Sequence, residues 1–265
     1  MHLVCTVWRS KIYTATSQYT AAVQELRIAS TLAPRHPMLV RLVLKLVKQA
    51  LPWPATATIV DLMASNAIIA TKHPTPTTTI IYRHLLHLAM QHQQPPATLL
   101  QLWQQMHKNQ RSNPNLVAAI MHLLLQQPQL DYWNCMATTL LSSAQKLVTK
   151  NYNARLINAY GLLPQPTSAQ FATIVQCLDK YQATTILLLT AGRIALHLQL
   201  WGQAKTYLQQ ALNSSATDIP HRKFHLPIYL ALATVYQELQ DHEQLQHCYR
   251  HILRLAQSCA LVLTE

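Results

Sequence analysis

The side chains of this chain best suited to chemistry are its fourteen histidines, some of which recur at ligand spacing. His247 and His251 stand i, i+4, which puts two imidazoles on one face of a helix. His221 and His225 share that spacing if their segment is helical, and His84 and His87 stand i, i+3. Such pairs could hold a metal ion or a haem iron, with His247 and His251 the first to consider; a chain this rich in histidine also generates pairs by chance. His242-Glu243 opens like the H-E-x-x-H helix of zinc proteases, but His247 comes one residue too late and its side chain turns away from the first. The five cysteines, at 5, 135, 177, 248 and 259, lack C-x-x-C spacing and suit reduced thiols, with Cys177 as core filler. Nine acidic residues leave little for paired-carboxylate catalysis, and Asp241 and Glu243 read as caps of the final helix. The three glycines, Gly161, Gly192 and Gly202, cannot build a G-x-G-x-x-G or Walker loop, so dinucleotide and nucleoside-triphosphate sites are excluded. The expectation is a protein that is not an enzyme and needs no cofactor.

The elements that must position these residues are helices, because Leu, Ala and Gln dominate and glycine is scarce. Leu188, Ala191, Gly192, Ala195, Trp201, Ala204, Leu208 and Ala211 have the spacing of a tetratricopeptide repeat (TPR), a 34-residue helix-turn-helix unit. In it, small residues let two helices approach while bulky ones fill the gap to the next unit. Counting outward places units at Leu3, Pro37, Ile80, Pro114, Asn151, Thr185 and Leu226, with extra residues at 71–79, 148–150 and 219–225. The twenty-fourth positions are Leu26, Val60, Trp103, Ala137, Ile174, Leu208 and Tyr249; the twenty-seventh are Ala29, Met63, Met106, Leu140, Cys177, Ala211 and Ile252. All are apolar or small. The pattern predicts an all-α solenoid of about seven units in one domain, 1–265, with a possible subdivision at the 71–79 loop. Trp103, Trp133 and Trp201 are expected as core plugs.

Punctuation supports that division. His36-Pro37 and Asn113-Pro114 put proline at a first helical position, where its missing N–H costs least. Lys72–Thr79, with two prolines and a run of threonines, reads as the clearest loop. Gln93–Pro96, Pro164–Pro166 and Asn213–Pro220 read as shorter turns. No run reaches the ~18 apolar residues of a membrane span, and the first residues do not form a signal peptide.

Twenty-one Lys and Arg against nine acids give a net charge of +12, which favours anionic partners. In a repeat of this kind the fifth and ninth positions of the first helix line the concave face. They hold Lys11, Arg41, Lys45, His84, His122, Arg155 and Arg193, with Lys48 and His197 close by. These nine residues are the expected partner-binding groove, where carboxylates or phosphates would be met; the alternative is scattered solvated charge. Arg41, Lys45 and Lys48, at i, i+4, i+7, could also meet anionic lipid, each being worth roughly 1 kcal/mol there. Nucleic acid is disfavoured, since basic clusters with interleaved stacking aromatics are absent.

The runs Asn153-Ala-Arg-Leu, Tyr160-Gly-Leu-Leu, Ala191-Gly-Arg and Leu200-Trp-Gly-Gln-Ala-Lys-Thr-Tyr-Leu, together with residues 19–34 and 101–121, resemble the C-terminal part of bacterial HemY-type proteins. The resemblance implies a TPR scaffold associated with late protohaem synthesis, with haem-pathway enzymes as its protein partners. It also implies two N-terminal membrane-spanning helices, expected to be absent from this chain, and a place on the cytoplasmic side of the inner membrane if that anchor exists upstream; the chain alone is expected to be soluble and cytoplasmic. The alternatives are a protein that binds or handles tetrapyrrole, with His247 and His251 as iron ligands, and a regulatory adaptor unrelated to haem.

Overall fold

The computed structural model describes residues 2–33, 36–49, 51–64, 76–106, 108–126, 130–216 and 224–262. Among them the regular elements are α-helices: α1 (His2–Ala15), α2 (Tyr19–Leu32), α3 (Pro37–Val47), α4 (Trp53–Ala64), α5 (Pro76–Gln91), α6 (Pro96–Gln105), α7 (Lys108–Arg111), α8 (Pro114–Leu125), α9 (Leu130–Lys150), α10 (Ala154–Tyr160), α11 (Ser168–Tyr181), α12 (Thr185–His197), α13 (Trp201–Ala216), α14 (His225–Glu238) and α15 (His242–Val262). The fold is all-α, and no described helix is long and apolar enough to cross a membrane. The chain divides into two compact units, Met1–Ser143 and Ala144–Glu265.

Within the first unit α1 packs on α2, α2 on α3 and α4, and α1, α3 and α5 meet in succession before α5 packs on α8. Within the second, α12 packs on α13, α14 on α15, and α10, α12 and α14 again meet in succession. The helix starts follow from capping. Pro37 and Pro114 stand at first helical positions, and the preceding side chains take up free N–H groups: Met38 N–H donates to His36 Nδ1 (3.3 Å) and Asn115 N–H to Asn113 Oδ1 (3.0 Å). Thr167 and Gln170 close a reciprocal capping box on α11. Gln244 N–H donates to Asp241 Oδ1 (3.2 Å), so Asp241 caps α15.

Four helix-helix turns share one geometry. Ser17, Gln93, Gln199 and Gln240 have φ of 59, 50, 60 and 57°. In each turn the next residue's N–H donates five residues back: Gln18 to Tyr13, Gln94 to Ala89, Leu200 to Ala195 and Asp241 to Tyr236, at 2.8–3.0 Å. This is the Schellman arrangement, whose left-handed position ordinarily holds glycine. Filling it with glutamine costs about 1 kcal/mol, so Gln199→Gly is expected to stabilise the second unit by about 0.5–1 kcal/mol, read as a higher denaturation midpoint. A lower midpoint would exclude left-handed backbone at this turn.

Two glycines mark close helix approaches. A Cβ on Gly192 of α12 would stand 2.6 Å from Cγ of Leu208 on α13, and Leu208 is fully buried. A Cβ on Gly161, at the end of α10, would press on Thr190 of α12, 3.1 Å from its Cα; Thr190 Oγ1 donates there to the Ile157 carbonyl (3.1 Å).

Eleven of the fourteen expected packing positions are buried, Ala137 and Ile252 are half-buried, and Tyr249 is 48% exposed. Tyr249 departs from expectation because it lies, with Leu253, on a face of α15 left open to solvent. Trp103 and Trp133 are buried and Trp201 half-buried. The loop expected at Lys72–Thr79 is only partly described: residues 72–75 lie outside the described residues, and from Pro76 onward the chain is helical. The proline occupies the tolerated first position, and burial of Ile81, Leu85 and Leu86 on α5 outweighs the low propensity of three threonines. The turn expected at Asn213–Pro220 likewise starts later, since α13 continues to Ala216 and residues 217–223 lie outside the described residues. One exposed face was not anticipated. On α1, Val4, Trp8 and Ile12 are 57–60% exposed while Thr6, Ser10 and Thr14 are buried.

Candidate partner-binding groove

In the second unit α10, α12 and α14 border an open groove of about 410 Å³. α12 is buried along most of its length, from Thr185 to Ala195. Its last turn reaches the groove and presents Arg193, Leu196 and His197. α14 contributes Leu226, Pro227, Leu230, Ala231 and Thr234, and the end of α10 contributes Gly161 and Leu162. The walls are therefore apolar, with Leu162 39% and Leu230 51% exposed, and the cation among them is Arg193.

Arg193 is half-buried, and Nη1 donates to Asn158 Oδ1 on α10 at 3.4 Å, a long bond to a neutral group. Burial holds the guanidinium pKa below the ordinary arginine value. Arginine nevertheless stays charged, and a partly desolvated cation without a carboxylate favours any anion that can reach it. Among the described residues the ion pair is Arg9 with Glu25, at 4.0 Å; Arg193 has none.

Of the nine residues expected in the groove, Arg193 and His197 line it. Arg155 stands exposed on α10 and is not part of its lining. The other six belong to the first unit. Arg41 and Lys45 are exposed on the outer side of α3, whose buried face is Leu39, Leu42, Val43, Leu46 and Val47, and Lys48 is the exposed cap residue of that helix. Lys48 lies near half-buried His84 of α5, whose protonation is disfavoured first by burial, then by Arg83, His87 and Lys48. Arg83 and Lys48 thus bring positive charge close to His84. Lys11 instead folds back over the Trp8 ring, 4.9 Å from its centroid, and half-buried His122 on α8 has its pKa lowered by burial. The residues missed from sequence are the apolar walls. Leu230 and Thr234 are the fifth and ninth positions of the unit starting at Leu226, so the repeat register reaches them once the search is not confined to charge.

His84 and His122 give the fold a pH dependence. Folding lowers both pKa values, so each contributes stability present above the ordinary histidine value of about 6.5 and lost as pH falls through the depressed folded value. The melting temperature is expected to fall between pH 7.5 and 5.5, and to fall less in His122→Gln. An equal fall in both proteins would remove His122 from the account.

His247 and His251 on α15 do meet: their Nε2 atoms are 3.3 Å apart. Of the pair His221 and His225, His221 lies outside the described residues. No group of three or more His, Cys, Asp or Glu converges as a metal site among the described residues. Cys177 and Cys248 are buried free thiols, and burial raises the pKa of both, that of Cys248 to about 11, which keeps them poor nucleophiles. Compared with known proteins, the chain matches no family model, and no curated protein is similar to it.

Proposed function

We propose that the chain is a non-enzymatic interaction scaffold, a TPR-like solenoid whose groove on α10, α12 and α14 receives a carboxylate-bearing segment of a protein partner. The observation that supports it most is Arg193, a partly desolvated cation with one long neutral hydrogen bond, set among exposed leucines. A carboxylate would complete the guanidinium fork while an adjoining apolar side chain covers Leu162 and Leu230. The recurrent left-handed turns and the register of buried positions favour the repeat reading. The HemY resemblance directs this activity to late protohaem synthesis, with pathway enzymes held at the cytoplasmic face of the inner membrane.

The test is affinity capture of the tagged chain from source-cell lysate at low and moderate salt, with mass spectrometry of what elutes, repeated for Arg193→Glu and for the surface reversals Arg41→Glu and Arg155→Glu. Salt-sensitive retention of haem-pathway enzymes, lost in Arg193→Glu and weakened in the surface variants with folding unchanged, is the expected result. Capture unaffected by all three reversals would sink the groove assignment. The apolar walls beside Arg193 also suit a carboxylated tetrapyrrole. A Soret shift on titration with haemin that disappears in Arg193→Glu would favour this second reading, and no shift would remove it.

A further inference from the structure

The His247–His251 pair has a geometry that goes beyond helical spacing. Two imidazole nitrogens bound at 2.0–2.1 Å to one tetrahedral ion stand about 3.3 Å apart, and the Nε2 atoms here are 3.3 Å apart before any ion is bound. The rings are tilted at 54° with centroids 4.5 Å apart, so they converge at the nitrogens without stacking on each other. His251 is held from the neighbouring helix: its ring lies parallel to Tyr229 of α14, with centroids 4.7 Å apart and planes 3° apart. A ring fixed in this way loses little freedom when it becomes a ligand. His225, on the first turn of α14, has its Nε2 buried without a hydrogen-bond partner.

We propose that His247 and His251 form a two-ligand site for an imidazole-seeking divalent transition metal on the outer surface of α15. Copper(II) should bind most tightly, with nickel(II) and zinc(II) weaker. Since no third His, Cys, Asp or Glu converges on the pair among the described residues, the remaining positions fall to water or to a side chain of a bound partner. The site is distinct from the groove, whose lining includes neither histidine.

The experiment titrates the full chain with copper(II) at pH 7.5 in a non-coordinating buffer, following the visible d–d absorption. The same titration is run on His247→Asn, His251→Asn and, as a control on the same helix, His242→Asn. One equivalent is expected to bind ahead of the other histidines, at least tenfold more weakly in each of the first two variants and unchanged in the control. His247 is exposed, so His247→Asn tests the site even if loss of the Tyr229 stack disturbs His251→Asn. Equal uptake by wild type and His247→Asn, or an equal loss in His242→Asn, overturns the proposal and leaves a simple hydrogen bond between two rings.

Discussion

Gly192→Val is expected to destabilise the second unit by about 3 kcal/mol or more, which chemical denaturation would read as a lower midpoint at unchanged slope. The cause is a contact of named atoms. Even the first carbon of a side chain at position 192 would stand 2.6 Å from Leu208 Cγ and 2.7 Å from Cδ2. Leu208 cannot retreat, because it is fully buried in a core that includes Leu188, Ala204 and Ala211. The helices α12 and α13 must then move apart, and Ala195 and Ala204, also fully buried, lose their contacts. Leu208→Ala alone should cost about 2–5 kcal/mol through the cavity it leaves. Combined with Gly192→Val it should cost clearly less than the sum, because the new methyl groups occupy that cavity. Additive losses in the double variant would show that the two residues do not share one space. Gly202 offers a contrast within the same helix pair: a Cβ there meets nothing within 4 Å, so Gly202→Ala should not destabilise.

The second large effect is functional. Arg193→Glu should weaken binding of a carboxylate-bearing partner by about 30-fold or more, the scale of breaking a partly buried charge pair. Arg155→Glu, at an exposed position, should change affinity only a few-fold and act mainly on the association rate. The difference in salt dependence is equally diagnostic: the Arg155 effect should fade as ionic strength rises, and the Arg193 effect should persist because the site is partly shielded from solvent. Titration calorimetry with the captured partner at two salt concentrations separates the two. Equal responses at both positions would mean that overall charge, and not the groove, governs binding.

How far the sequence reveals this molecule depends on which physical signal each feature carries. Helical class follows from composition, and the starts at Pro37 and Pro114 follow from a residue that leaves one N–H fewer to satisfy. Each expected unit also begins within four residues of a helix start, because a 34-residue hydrophobic register samples long windows. Local signals fail where burial outweighs them, as at Pro76–Thr79. The turns at Ser17, Gln93, Gln199 and Gln240 were hidden for the opposite reason, since glutamine and serine do not announce a left-handed backbone. At the groove the charge criterion found Arg193 and His197 and overlooked the leucines that give the cation its setting. It also gathered Arg41, Lys45 and Lys11, which spacing alone cannot tell from solvated surface. For His247 and His251 the spacing was visible, whereas the Tyr229 ring stacked on His251 belongs to another helix and could not be read from it.

The pairing of Arg9 with Glu25 has a wider meaning when set against twelve uncompensated positive charges. A chain with a net charge of +12 must gather small anions from solution, within about 8 Å at physiological ionic strength. That atmosphere is an entropic reserve. An acidic partner settling on the surface sets the ions free, so association should proceed with little heat and a steep logarithmic dependence on salt, as it does for cationic proteins on polyanions. The same ions screen the chain from itself, and moderate salt should make the folded protein more stable even as it loosens the grip on its partners.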